Sequence, residues 1–177
     1  MLDSELETLR FRVIGTMAGL EGLEYEDIPG LANIPLKRLR RNATNLHAVC
    51  RYKDGTDKRD PNLGVNDVRE VGIHPNVLTE EWIRYAEFLL YHEFLHALGY
   101  VAHNRQFREL ESLWPDKEAP SMSKYFSEHL RKRNAKFVWT CPKCDWKTYR
   151  TVRASGRYLC RQCRVQLIDI EYSQSSE

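Results

Sequence analysis

From Phe88 to Leu98 the chain reads FLLYHEFLHAL, apolar on nearly every side of a helix and yet interrupted by His92, Glu93 and His96. A helix that is apolar all round is one that a fold buries. Burying two imidazoles and a carboxylate without partners costs on the order of a few kcal/mol for each group, so this core must offer them something. His92 and His96 are four apart, and their rings therefore leave the same face of the helix one turn from each other. Glu93 stands one position further round. Gly99 follows, the residue type that most readily takes the left-handed conformation at the end of a helix, and His103 lies seven residues after His96.

A zinc ion resolves the cost, because it binds neutral imidazole and supplies the positive charge that a buried carboxylate lacks. In the HExxH arrangement the two histidines are ligands and the glutamate is the general base that takes a proton from the attacking water. His92 and His96 are thus predicted ligands and Glu93 the predicted base. The turn after Gly99 can bring His103 back as a third ligand, with His74 and His129 as competitors that spacing does not exclude. Three protein ligands leave a fourth position open, the mark of a catalytic rather than a structural site, and hydrolysis of peptide bonds is the commonest use of the pattern. Tyr91, Tyr100 and Arg105 are near enough in sequence to steady an oxyanion, and nothing in the sequence ranks them.

A second site is predicted near the C-terminus. Five cysteines in a chain with no export signal argue against a disulfide framework. Four of them form CPKC, fifteen intervening residues and CRQC: Cys141, Cys144, Cys160 and Cys163. Two such knuckles close a tetrahedron of thiolates around one zinc and leave no open position, so this ion is structural. The flanks FVWTC, WKTYRTVR, RYLC and VQLIDIEY alternate like short strands, which makes a zinc ribbon the expected fold. At this length the ribbon cannot bury enough surface to fold without its metal. Cys50, the fifth, is read as a reduced thiol with no visible environment to activate it.

Charge is unevenly spread. Residues 124–164 hold twelve Lys and Arg against Glu128 and Asp145, while residues 1–123 hold fifteen basic and twenty acidic side chains. Lys143, Lys147, Arg150, Arg153, Arg157 and Arg161 are interleaved with Trp146 and Tyr149, a mixture of phosphate-pairing and base-stacking groups that single-strand nucleic-acid binding uses. A solvated basic face over a small aromatic core is the competing reading.

The rest of the chain frames these sites. Leu2, Leu6, Leu9, Val13, Met17 and Leu20 predict an amphipathic opening helix, and LKRLRRN (36–42) a solvated helix or turn. NLHAVCRYK (45–53) and VREVGIHPNVL (68–78) predict two strands joined by a polar loop. A helix is expected from Glu80 to Leu98 with Thr79 as its cap, a short one across QFRELESLW, and a third from near Ser121 with Met122 in its core. The whole is α+β: an HExxH helix on a small sheet over residues 1–134, a ribbon over 135–172 and a loose tail over 173–177. The opening MLDSELETLR is acidic where an export signal is basic and then apolar, and the longest apolar run carries too many charges to span a bilayer. A cytoplasmic protein with no membrane partner is expected, nucleoid-associated if its basic segment meets DNA.

With HEFLH, the phrase VGIHPNVL before it, HNRQF after it and two CxxC knuckles on the page, the chain resembles the SprT-like zinc metallopeptidases over roughly residues 35–170. The resemblance implies a zincin-like domain in which His92, His96 and His103 hold a catalytic zinc and Glu93 is the base, with the four cysteines holding a ribbon zinc. It also implies protein substrates met on or near nucleic acid, as in repair of DNA–protein crosslinks. A binding module for nucleic acid or ribonucleoprotein, its peptidase site weak or unused, is the alternative from another class.

Overall fold

The computed structural model describes residues 3–24 and 26–173, so that Leu2 of the predicted first helix and residues 174–177 of the predicted tail lie outside the described residues. The chain divides into two compact units, Met1–Ser123 and Lys124–Glu177.

The first unit opens with α1 (Ser4–Met17), whose Asp3 side chain accepts the Leu6 N–H while Glu5 and Glu7 sit in the first turn, where the helix dipole favours negative charge. Leu6, Leu9, Val13 and Met17, at intervals of three and four, are its buried face, and α1 packs along α2 (Ile83–Ala97). Arg38 ties the start of α1 to the sheet by donating to both Asp3 and Glu5.

Three short strands form the sheet in the order β1-β3-β2: β1 (Leu36–Arg38) runs parallel to β3 (Val68–Ile73), and β2 (Ala48–Tyr52) antiparallel to it. The basic stretch at 36–42, expected as a helix or turn, therefore supplies a strand. Local composition misleads there because β1 is stabilised by pairing with residues more than thirty positions away. Val71 and Ile73 of β3 are fully buried, and β2 and β3 pack on α2.

The helix expected from Glu80 begins as a 3-10 turn, Glu80–Trp82, before α2 proper, and Thr79 makes no side-chain cap bond. Ten residues of α2 are buried, Glu93 among them. Its end is a Schellman motif: the Gly99 N–H reaches the His96 carbonyl (3.0 Å) and the Tyr100 N–H the Leu95 carbonyl (3.2 Å), with Gly99 at φ 102°. A Cβ at Gly99 would lie 2.3 Å from the Leu63 carbonyl oxygen, so both conformation and space require glycine. After the turn, Asn104 caps α3 (Arg105–Glu111) by accepting the Phe107 N–H at 2.9 Å.

The second unit contains most of α4 (Met122–Asn134), whose last turn is Arg131, Lys132 and Arg133, and a three-stranded antiparallel sheet of β4 (Phe137–Thr140), β5 (Lys147–Arg150) and β6 (Ile168–Glu171), with β4 central. Met122, half-buried, begins α4. The sheet's buried side is small: Trp139, Cys141, Ala154, Cys160 and Leu167. Trp139 donates to the Val152 carbonyl (2.8 Å) and stacks on Tyr158 (4.6 Å between rings). Asp169 accepts the N–H groups of Ala154 (2.6 Å) and Ser155 (3.0 Å), fixing a turn in which Ser155 and Gly156 both take positive φ. Both units mix helix and sheet, and the fold is α+β. Among the described residues no helix is long and apolar enough to cross a membrane.

Candidate metal centres

In the first unit, α2, the Gly99 turn and the start of α3 bring three imidazoles together. The ring centroids of His92, His96 and His103 form a near-equilateral triangle with sides of 4.9, 5.0 and 4.8 Å. Phe107, fully buried, lies against all three, stacked on His96 at 4.8 Å and edge-on to His92 (5.0 Å) and His103 (4.7 Å). One potential ligand atom from each histidine falls within 4.8 Å of the others. His74, the competitor that follows β3, is buried with its Nδ1 accepting the Asn76 N–H, and neither it nor His129 belongs to this group.

The ring nitrogens are sorted by their outer partners. His92 Nδ1 is 2.6 Å from Glu111 Oε1, and His96 Nδ1 is 2.8 Å from the Tyr100 carbonyl oxygen. A carboxylate and a carbonyl can only accept, so each Nδ1 carries its proton and each Nε2 is left as a bare lone pair. Burial lowers the pKa of His92 against the opposing pull of Glu111, and lowers that of His96 to about 4, so both rings are neutral near pH 7. His103 Nε2 lies 3.1 Å from His92 Nε2. One proton between that pair would leave the His96 lone pair unanswered, whereas one cation serves all three. At ordinary zinc–nitrogen lengths, tetrahedral ligands stand about 3.3 Å apart, and the His92–His103 spacing of 3.1 Å suits a shared tetrahedral ion.

Glu93 is 6% exposed, and burial pushes its carboxyl up to about 7, partly offset by the backbone N–H of Cys50. That places a buried proton acceptor on the same helix as two of the imidazoles, in the range where general bases act near neutral pH. The edge strand β2 runs alongside: Tyr52 donates to the His96 carbonyl at 2.5 Å, steadying the last turn of the ligand helix. Burial, then Glu93, pushes the half-buried Cys50 thiol up to about 12, which makes it a poor nucleophile. Of the groups near enough in sequence to steady an oxyanion, Tyr100 donates to Glu26 (2.5 Å), Tyr91 to the Leu110 carbonyl, and Arg105 to Glu109 (2.8 Å).

In the second unit the four cysteines converge with all sulfurs within 4.8 Å of one another. Cys144 and Cys160 Sγ are 3.9 Å apart, nearly twice the length of a disulfide and close to the roughly 3.8 Å between sulfurs around tetrahedral zinc. The Lys143 N–H points at Cys141 Sγ (3.4 Å). The neighbouring Cys144 thiol, with burial and Cys141, pushes Cys163 up to about 12. At Cys141 burial acts upward but is outweighed by the N–H groups of Lys143 and Cys144, which bring it down to about 7. Four thiols so close cannot all ionise without a cation among them. They can hold a metal ion.

The residues expected to meet nucleic acid fall into two groups. Lys143, Lys147, Arg157 and Arg161 are exposed and make no ion pair among the described residues, and Trp146 is 42% exposed. Arg150 and Arg153 have partners within the unit: the first lies over the Trp139 ring (5.3 Å), the second over Phe137 (4.9 Å) while also pairing with Glu171. Tyr149 packs edge-on to Tyr172.

Sequence reasoning missed Glu111. Its only signal is that Phe107 and Glu111, four apart, share a face of the predicted short helix, which puts a carboxylate one turn beyond the ring that packs the histidines. Comparisons with protein-family models, with characterised proteins and with solved structures give no match.

Proposed function

We propose that this chain is a zinc-dependent endopeptidase of SprT-like type, a zincin-like domain joined to a zinc ribbon, cleaving proteins on or near nucleic acid. The observation that carries the reading is the convergence of His92, His96 and His103, with His92 and His103 Nε2 at 3.1 Å, beside a buried Glu93 on the same helix. Two neutral imidazoles with fixed tautomers make a donor set for a cation, and the buried carboxylate makes a base.

Zinc held by the three histidines supplies a Lewis acid that polarises a scissile carbonyl and acidifies water. Glu93 takes the proton as the water oxygen bonds to the carbonyl carbon, then delivers it to the amide nitrogen as the C–N bond breaks, releasing one carboxyl and one amino terminus. β2 lies at the edge of its sheet next to the ligand helix, where an extended substrate can add as a further strand. Exposed Lys143, Lys147, Arg157 and Arg161 with Trp146 support nucleic acid as the platform on which substrates are met.

The test is cleavage of a DNA-bound protein, with and without single-stranded DNA, beside Glu93→Gln. The reading requires two zincs per chain in both proteins and cleavage only in the unsubstituted one. The same exposed lysines and tryptophan also support a non-catalytic nucleic-acid binding module. That reading wins if Glu93→Gln keeps every effect of the protein while neutralising Lys143, Lys147, Arg157 and Arg161 removes it. Salt-independent association, or none with single strands, would discard the nucleic-acid part.

A further inference from the structure

We infer that Glu111 is a positioning residue for the histidine centre, holding His92 in the tautomer and orientation that leave its Nε2 free for the metal. The inference rests on the metallopeptidase reading and extends it to α3, an element that supplies none of the three histidines. Glu111 Oε1 is 2.6 Å from His92 Nδ1, and Oε2 receives Arg108 Nη1 at 2.8 Å across one turn of the same helix. Both carboxylate oxygens are thus engaged, and Glu111 is not among the residues whose ligand atoms gather with those of the three histidines, which separates it from a fourth ligand. Its side chain is only 16% exposed, so the charge acts with little screening by water.

The three histidines are not held alike. His96 Nδ1 has a neutral backbone carbonyl as partner, whereas His92 Nδ1 has an ionised carboxylate. The Arg108 guanidinium, 2.8 Å from Glu111 Oε2, favours the carboxylate form of the group. A carboxylate behind an imidazole raises the basicity of the far nitrogen and stops the ring from flipping, an arrangement whose loss typically weakens metal binding about 10- to 100-fold. His92 is therefore a stronger donor than His96. Arg108 in turn holds Glu111 in place, and Phe107, on the same face of α3, limits how far the ring can tilt.

The experiment is zinc competition against a chromophoric chelator on the full chain, comparing the unsubstituted protein with Glu111→Gln and Glu111→Ala, with the Cys141–Cys144–Cys160–Cys163 site as internal reference. The expected result is about a 10- to 100-fold loss of zinc affinity at the histidine site for Glu111→Ala and a smaller loss for Glu111→Gln, whose amide oxygen still accepts from Nδ1. The thiolate site is unchanged in both. In the zinc-loaded protein the downfield Nδ1 proton of His92 is lost in Glu111→Ala while that of His96 persists, a selectivity that a general packing defect would not produce. If Glu111→Ala fails to fold, the near-isosteric Gln variant carries the comparison. Equal affinities and an intact His92 Nδ1 proton in the substituted proteins would overturn the inference while leaving the metallopeptidase reading standing. An unsubstituted chain that binds one zinc only, through its thiols, would overturn that reading instead and this inference with it. Cobalt substitution guards the assignment: a d–d spectrum changed in coordination number by Glu111→Gln would make Glu111 a ligand and overturn the positioning role.

Discussion

The two candidate metal centres are built on opposite principles. The histidine centre is carried by a helix with ten buried residues, packed between α1 and a sheet, and its surroundings have an apolar core without any ion. The cysteine centre has a buried cluster of five residues, two of which are themselves proposed ligands. On the proposed reading, the fold positions the ligands in the first unit, whereas in the second the ligands hold the fold. A site meant for chemistry needs a scaffold that survives an open coordination position, whereas a closed site can serve as the scaffold.

The largest effect expected from this contrast is on metal removal. Chelation under reducing conditions should unfold the sheet of β4, β5 and β6, since binding of a structural zinc is worth about 10–16 kcal/mol in small metal-dependent folds. Amide exchange should show β4–β6 protection lost and that of α2 retained; simultaneous loss in both units would break the comparison. Next in size, on the proposed metallopeptidase reading, Glu93→Gln should lower turnover by about 10²- to 10⁴-fold, the usual contribution of a general base, with the metal content by metal analysis unchanged. Phe107→Ala should cost about 3–5 kcal/mol in a urea titration of the first unit and weaken zinc at the histidine centre, while leaving the thiolate centre as it was.

Gly99→Ala tests the turn by which His103 returns. A residue with a Cβ at φ 102° is strained by about 1–3 kcal/mol before its collision with the Leu63 carbonyl is counted. Lower thermal stability with weaker zinc binding is expected, and unchanged values of both would show that the turn is not needed.

The smallest effect separates the units by acid. Arg38, against a lesser opposing effect of burial, holds Asp3 below its ordinary value of 3.8. Folding is thus favoured by this pair above that value, and the gain is lost as pH falls through the lower folded one. For so exposed a pair it amounts to less than about 1 kcal/mol. Protons should displace a metal ion from the thiolates at higher pH than this, so an acid titration followed by exchange should melt the sheet of β4, β5 and β6 first, and Arg38→Met should shift only the later, acidic limb.

What could be read in advance was what is local. His92, Glu93 and His96 announce themselves through one helical turn, Gly99 through its residue type and the cysteines through two tight knuckles. His103 was one of three histidines that spacing allowed, and only the packing of α3 against α2 distinguishes it. Glu111 escaped because its partner is nineteen residues away. The strand at Leu36–Arg38 escaped for the same reason, its pairing partner being β3. Arg150 and Arg153 show a different limit: composition marks them as cations beside aromatic rings, but a guanidinium resting on a ring of its own unit and one offered to a phosphate look identical in sequence.

The three histidines, Glu93, Phe107 and Glu111 all lie between positions 92 and 111. They meet through one helix end and one turn, so assembling them closes only short loops and contributes little contact order, unlike the sheet that pairs Leu36 with Val71. The centre is in this sense nearly a single segment: a helix, a glycine-ended turn and a short helix that between them carry every proposed ligand, the proposed base and the proposed positioning residue.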